Sequence, residues 1–97
     1  MVTIEENAKQ VKDILGRILL DSKECICVQN TKGYGGFLLE MAKYVERKVS
    51  LKVKECDTVF SFNPTFKELK GLKTFGFIVK KTIFTENDGL IVVFTKN

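Results

Sequence analysis

The stretch Thr31-Lys32-Gly33-Tyr34-Gly35-Gly36-Phe37 carries the residue types best suited to holding an anion. Glycines let backbone N–H groups approach a ligand with no Cβ in the way, and a helix opening here would set the positive end of its dipole behind them. Lys32 adds a full charge. Tyr34 adds a ring that, exposed at a turn, would lie against a base or a sugar. Phosphate is the guest this chemistry fits. Its source stays open between a nucleotide, a polymer backbone and no guest at all, the glycines then only turning a tight strand-to-helix corner.

A dinucleotide fingerprint is incomplete here. Counting G-x-G-x-x-G from Gly33, Gly35 fits but Leu38 stands in the third place, although Glu55 or Asp57 offers an acidic residue near the next strand's end. The G-x-x-x-x-G-K-[ST] phosphate loop is absent, and the chain is short for a complete dinucleotide domain. The turn therefore points to polymer backbone before cofactor, and no cofactor is expected.

Other chemistries find little material. The chain has 3 cysteines and no histidine, so Cys25, Cys27 and Cys56 read as buried small hydrophobes rather than zinc ligands or a disulfide framework. No nucleophile–base pair and no carboxylate pair demands acid–base work, so a non-enzymatic role is expected.

At 97 residues, 44% of them apolar and 29% charged, the chain reads as one folded domain over residues 1–97. Net charge is +4, and its distribution says more than its size. Residues 1–30 carry four basic and five acidic groups, whereas residues 31–56 carry six and three, and residues 57–97 six and four. The positive field begins at the glycine turn. No apolar run approaches a membrane span and no signal-peptide pattern opens the chain, so the expected compartment is the cytosol, or the nucleus in a eukaryote.

These residues need elements to position them. Val2-Thr3-Ile4 reads as a short first strand, and Asn7 with Gln10 as a capping box opening a helix with Ala8, Val11, Ile14, Leu15, Ile18 and Leu19 on its apolar face. Gly16 inside that helix implies a closely packed neighbour, and Asp21-Ser22-Lys23 ends it. Cys25 to Val28 is apolar throughout, as in a strand buried on both faces. After the glycine turn, Leu38, Met41, Ala42, Val45 and Val49 form a second helical stripe, with Glu40 and Lys43 able to pair. Leu51 and Val53 alternate with Lys52 and Lys54, which predicts a half-buried strand with lysines outward and a bulge near Glu55-Cys56 before Val59, Phe60 and Phe62. Asn63-Pro64 breaks that strand, and Thr65 to Lys70 reads as a short helical turn closed by Gly71. Phe75 to Phe84 and Leu90 to Phe94 make a hairpin across Glu86-Asn87-Asp88-Gly89. The expected fold is α/β, a two-layer sandwich of order β-α-β-α-β-β with an extra final strand. Its mixed sheet would have four or five strands, with two helices packed on one face.

Two resemblances follow from these residues. Lys73-Thr74-Phe75-Gly76-Phe77-Ile78 resembles the first RNA-binding signature of the RNA-recognition motif, with Thr74 replacing a glycine and Lys80 an aromatic. Ile26-Cys27-Val28-Gln29-Asn30 is similar to the second signature, with Cys27 in place of the stacking ring. The competing reading puts Phe75 and Phe77 in the core. Across most of its length the chain resembles the Alba superfamily of DNA- and RNA-binding proteins, including its ribonuclease P/MRP subunit branch. There Thr31-Lys32-Gly33 occupies the place of a basic residue plus glycine opening the second helix. The resemblance implies a long hairpin over Asp57–Thr74 and a homodimer or heterodimer tracking a nucleic-acid backbone. Glu5-Glu6-Asn7 stands where archaeal chromatin members carry paired lysines, leaving Lys9 and Lys12 as the nearest substitutes.

The expected function is thus a nucleic-acid-binding module, RNA ahead of DNA, backbone-directed and without catalysis. Lys32, the N–H groups of Gly33, Gly35 and Gly36, and Lys52 and Lys54 would contact phosphates. Lys67, Lys70 and Lys73 would sit on a mobile arm, and Tyr34 would stack. The alternatives are a protein-interaction module using the apolar final strand and the phenylalanines around Phe60 and Phe62, and a small nucleotide-binding domain using the glycine turn.

Overall fold

A computed structural model describes residues 4–29, 34–86 and 89–96. In chain order the elements are α1 (Ile4–Asp21), β1 (Cys25–Gln29), α2 (Gly35–Tyr44), β2 (Lys48–Val49), a 3-10 turn (Val53–Glu55), β3 (Thr58–Phe62), α3 (Phe66–Thr74), β4 (Phe77–Thr85) and β5 (Gly89–Lys96). The five strands form one mixed sheet in the order β2-β1-β3-β5-β4. β1 pairs in parallel with β2 and β3, while β5 is antiparallel to both β3 and β4.

Period-two alternation sends the side chains of each strand to two different cores. Ile26, Phe60, Phe62, Ile83, Ile91 and Val93 meet Val11, Leu15, Ile18 and Leu19 of α1 and Leu38 and Ala42 of α2. On the opposite face Cys25, Cys27, Val59, Val92 and Phe94 meet Leu72 of α3 and Cys56. The α/β class, the mixed five-stranded sheet and the two-helix layer agree with the expectation. The short α3 and the 3-10 turn cover part of the second face.

The local order departs from expectation in several places. Ile4 opens α1 rather than closing a strand, and Asn7 lies inside that helix; Val2 and Thr3 fall outside the described residues. Glutamate is a good helix former, so Glu5 and Glu6 suit the start of α1. The predicted strand over Lys52 and Lys54 does not form. Ser50 ends the pairing: its N–H donates to Ile26 O at 3.0 Å, and its hydroxyl accepts Lys52 N–H at 3.1 Å. That side-chain turn diverts the backbone from the ladder into the 3-10 turn. The bulge lies in β4, between Val79 and Lys81, not near Cys56.

The segment read as a long hairpin arm, Asp57–Thr74, is instead β3 followed by α3. Thr65 and Glu68 form a reciprocal capping box, the Thr65 hydroxyl accepting Glu68 N–H at 3.2 Å and the Glu68 carboxylate accepting Thr65 N–H at 3.1 Å. The helix runs through Gly71 because buried Leu72 anchors its last turn, and Gly76 at φ 86° turns the chain into β4. β5 is an interior strand rather than an edge, which explains its unbroken apolar run.

Candidate nucleic-acid interface

The predicted contact residues fall on separate surfaces. Lys32 and Gly33 lie outside the described residues. Tyr34 is not an exposed ring: it is 4% exposed, and its side chain stacks on Phe62 with centroids 5.9 Å apart. Its carbonyl accepts Leu38 N–H at 2.9 Å, so it belongs to the N-terminus of α2 as a core anchor. Gly35 is buried in the first turn of α2 and Gly36 is exposed. The acidic residues that partly matched a dinucleotide fingerprint, Glu55 and Asp57, are committed elsewhere. Asp57 lies beside the start of β1, whereas the glycine turn follows that strand's far end. Its carboxylate accepts N–H groups from Lys23, Glu24 and Cys25 at 2.9, 3.2 and 2.7 Å, and the Thr58 hydroxyl at 3.0 Å. Burial pushes this carboxyl upward, but the three N–H donors and the hydroxyl hold it below its ordinary value.

Lys9 and Lys12 are exposed on α1, on the two-helix side of the sheet. The Lys12 ammonium lies 5.7 Å from the centre of the Phe37 ring. With Arg17, Leu20 and Met41 these residues line an open groove of about 550 Å³. Arg47, by contrast, is not a free cation of the basic field. Its guanidinium donates to the carbonyls of Ser22 at 2.9 Å, Val45 at 3.2 Å and Leu20 at 3.4 Å, closing the C-terminus of α1.

The other lysines gather on the face that carries α3. Lys67, Lys70 and Lys73 are all exposed on that helix rather than on a mobile arm. Three-residue spacing keeps them within an arc of about 120°. Phe75, at the C-terminal cap of α3, is 43% exposed, against the core reading, whereas Phe77 is buried in agreement with it. The Lys54 ammonium stands 5.4 Å from the centre of the Phe75 ring, a cation–π distance. Lys52, Val53, Lys54, Glu55 and Phe75 line a hollow of about 360 Å³. Beside it the Lys96 ammonium donates to Lys54 O at 2.6 Å and lies 5.3 Å from the centre of the Phe77 ring.

Glu55 moderates this field. Its carboxylate lies 4.0 Å from both the Lys48 and the Lys52 ammonium groups and accepts the Ser50 hydroxyl at 3.3 Å. These pairs are exposed and weak, so a polyanion can compete for either lysine. The pairing of Lys54 with Phe75 escaped sequence reasoning, because Lys54 was assigned to a strand and the two residues lie 21 positions apart. The protein-interface alternative also loses its residues: Phe60 and Phe62 are 0% and 1% exposed, and β5 is interior.

Comparison with protein-family models, curated proteins and solved structures found no match for this chain. Among the described residues no helix is long and apolar enough to cross a membrane.

Proposed function

We propose that this chain is a nucleic-acid-binding module, with single-stranded RNA ahead of duplex DNA, acting through the face built by α3 and the 3-10 turn. One observation carries the reading: Lys54 stands over the half-exposed ring of Phe75, the residue that caps the helix bearing Lys67, Lys70 and Lys73. A ring with a cation over it can stack on a base of any identity while neighbouring lysines follow the phosphates, a combination suited to sequence-tolerant binding of an unpaired strand. Lys52, Lys67, Lys70 and Lys73 supply the backbone contacts in this reading, and Glu55 tempers the affinity.

Fluorescence anisotropy with a short single-stranded RNA and a duplex DNA, each at two salt concentrations, tests it. Affinity should fall steeply with salt for both, and Phe75→Ala should weaken the single strand more than the duplex. A salt-independent response, or full affinity in a Lys54→Glu, Lys70→Glu double variant, would sink the proposal.

The protein-interaction reading keeps one specific support, the outer edge of β4. Among the described residues that strand pairs only with β5, and it exposes Ile78, Val79 and Phe84, but Lys80, Lys81 and the bulge interrupt the edge as they do in strands that avoid association. Size exclusion with and without nuclease separates the readings. A dimer that survives nuclease and carries no nucleic acid favours the second.

A further inference from the structure

The cysteines offer chemistry that the proposed interface does not use. Cys25 and Cys27 are two apart on β1 and so face the same side of the sheet, where Cys56 joins them directly after the 3-10 turn. The Cys25 and Cys56 sulfurs are 3.0 Å apart, in residues 6% and 1% exposed. All three cysteines are free thiols. Among the described residues no group of three or more histidine, cysteine, aspartate or glutamate side chains is arranged to hold a metal ion. A disulfide is about 2.05 Å long, so the pair must close by only about 1 Å to bond.

We propose that Cys25 and Cys56 are an oxidisable dithiol pair, closed to a disulfide by low-molecular-weight disulfides, with Cys27 left as a thiol. In the first step one protein thiol, as its thiolate, attacks a sulfur of the oxidant and releases one small thiol. The neighbouring cysteine then attacks the mixed disulfide, forming the Cys25–Cys56 bond and releasing the second small thiol. The protein gives up two electrons and two protons, and one oxidant molecule becomes two thiols.

Burial makes access the slow step. The cover over Cys56 is the stretch 51–55, anchored to the sheet at Ser50 and Asp57 on either side and held within itself by short-range bonds such as Glu55 N–H to Lys52 O at 3.0 Å. Local opening of that segment lifts Cys56 from the edge of the second core and exposes the pair while the two-helix core stays folded. The bond spans 31 positions, so it removes substantial freedom from the unfolded chain.

The test incubates the whole chain with excess oxidised glutathione, with and without mild denaturant, then counts thiols and maps peptides. Two of the three thiols should disappear, a Cys25–Cys56 peptide should form, and Cys27 should remain open to alkylation. The melting temperature should rise by about 10 °C and return with a reductant. Cys27→Ser should keep all of this, and Cys25→Ser should lose it. Three surviving thiols in mild denaturant, stable glutathione adducts on single cysteines, or a bridge through Cys27 would each overturn the assignment, and wild-type mapping decides between them even if Cys25→Ser fails to fold.

Discussion

Tyr34 lies nearly parallel to Phe62, with ring centroids 5.9 Å apart and planes 13° from one another. The contact joins the first residue before α2 to the last residue of β3, on the face that the two long helices cover. The tyrosine of the glycine turn is therefore a packing residue that fixes where α2 begins.

Its replacement tests that role. Tyr34→Ala should cost about 3–5 kcal/mol in denaturant unfolding, the range for deleting a buried aromatic side chain. Tyr34→Phe keeps the stacked ring and should lose no more than about 1 kcal/mol. RNA affinity of Tyr34→Phe should match the wild type. A selective loss of RNA affinity in that variant, with stability intact, would restore the ring to the interface.

Much of the architecture was legible because it is written in periodicity. The stripe Val11, Leu15, Ile18, Leu19, the apolar run of β1 and the Glu40–Lys43 pair at 3.6 Å all follow from spacing alone. What spacing cannot show is where a local side chain outcompetes the ladder. The Leu51–Lys54 alternation has a strand's period, yet the Ser50 hydroxyl captures Lys52 N–H and ends it. The α3 capping box was present as Thr65 and Glu68, but Gly71 drew the boundary too early, since only tertiary burial of Leu72 carries the helix past it. The candidate site was harder to read, because Lys54 meets Phe75 only through the packing of the 3-10 turn beside the end of α3.

Opposite faces of the sheet provide an internal control for binding. Lys54→Ala removes a cation beside Phe75, whereas Lys12→Ala removes one beside Phe37 on the two-helix side. Removing Lys54 should weaken single-stranded RNA binding by about 1 kcal/mol and lower the salt slope by about one unit. Removing Lys12 should change neither. Equal losses in anisotropy titrations would mean that the basic field acts as a whole.

Gly16 sits in mid-helix with room to spare. A Cβ built there would lie 3.7 Å from the Met41 terminal methyl and 3.9 Å from Phe37, both ordinary contacts. Gly16→Ala should therefore stabilise α1 by about 0.5–1 kcal/mol, raising the urea midpoint. Gly16→Leu must displace Met41 and Phe37 and should destabilise instead.

Asp57 ties the α1–β1 connection to β3 through three N–H donors. Its carboxyl is held below the ordinary value of 3.8, so the folded state favours the anion. The stability it contributes is complete above the unfolded value and is lost as pH falls through the lower folded one. Asp57→Asn keeps the shape but loses the charge-assisted bonds, and should cost about 1–2 kcal/mol at neutral pH. Once pH falls below the folded value the two proteins should converge in urea titrations.

Cys56 adds to the alkaline loss of stability. Burial first, then the hydrogen bond with the Cys25 thiol, pushes the Cys56 thiol from its ordinary 9.0 up to about 12. A raised value means that the fold prefers the neutral thiol. The unfolded chain ionises at lower pH, so the stability this group contributes is intact below about pH 9 and drains away as pH climbs toward about 12. Burial also raises the Cys27 thiol, and its loss runs in the same direction. Cys56→Ala should therefore lose less stability than the wild type between pH 9 and 11, in urea titrations under reductant so that no disulfide forms. Lysine and tyrosine ionisation is common to both proteins and cancels in the difference. Parallel alkaline limbs would show that the thiol is as free to ionise in the fold as in the unfolded chain.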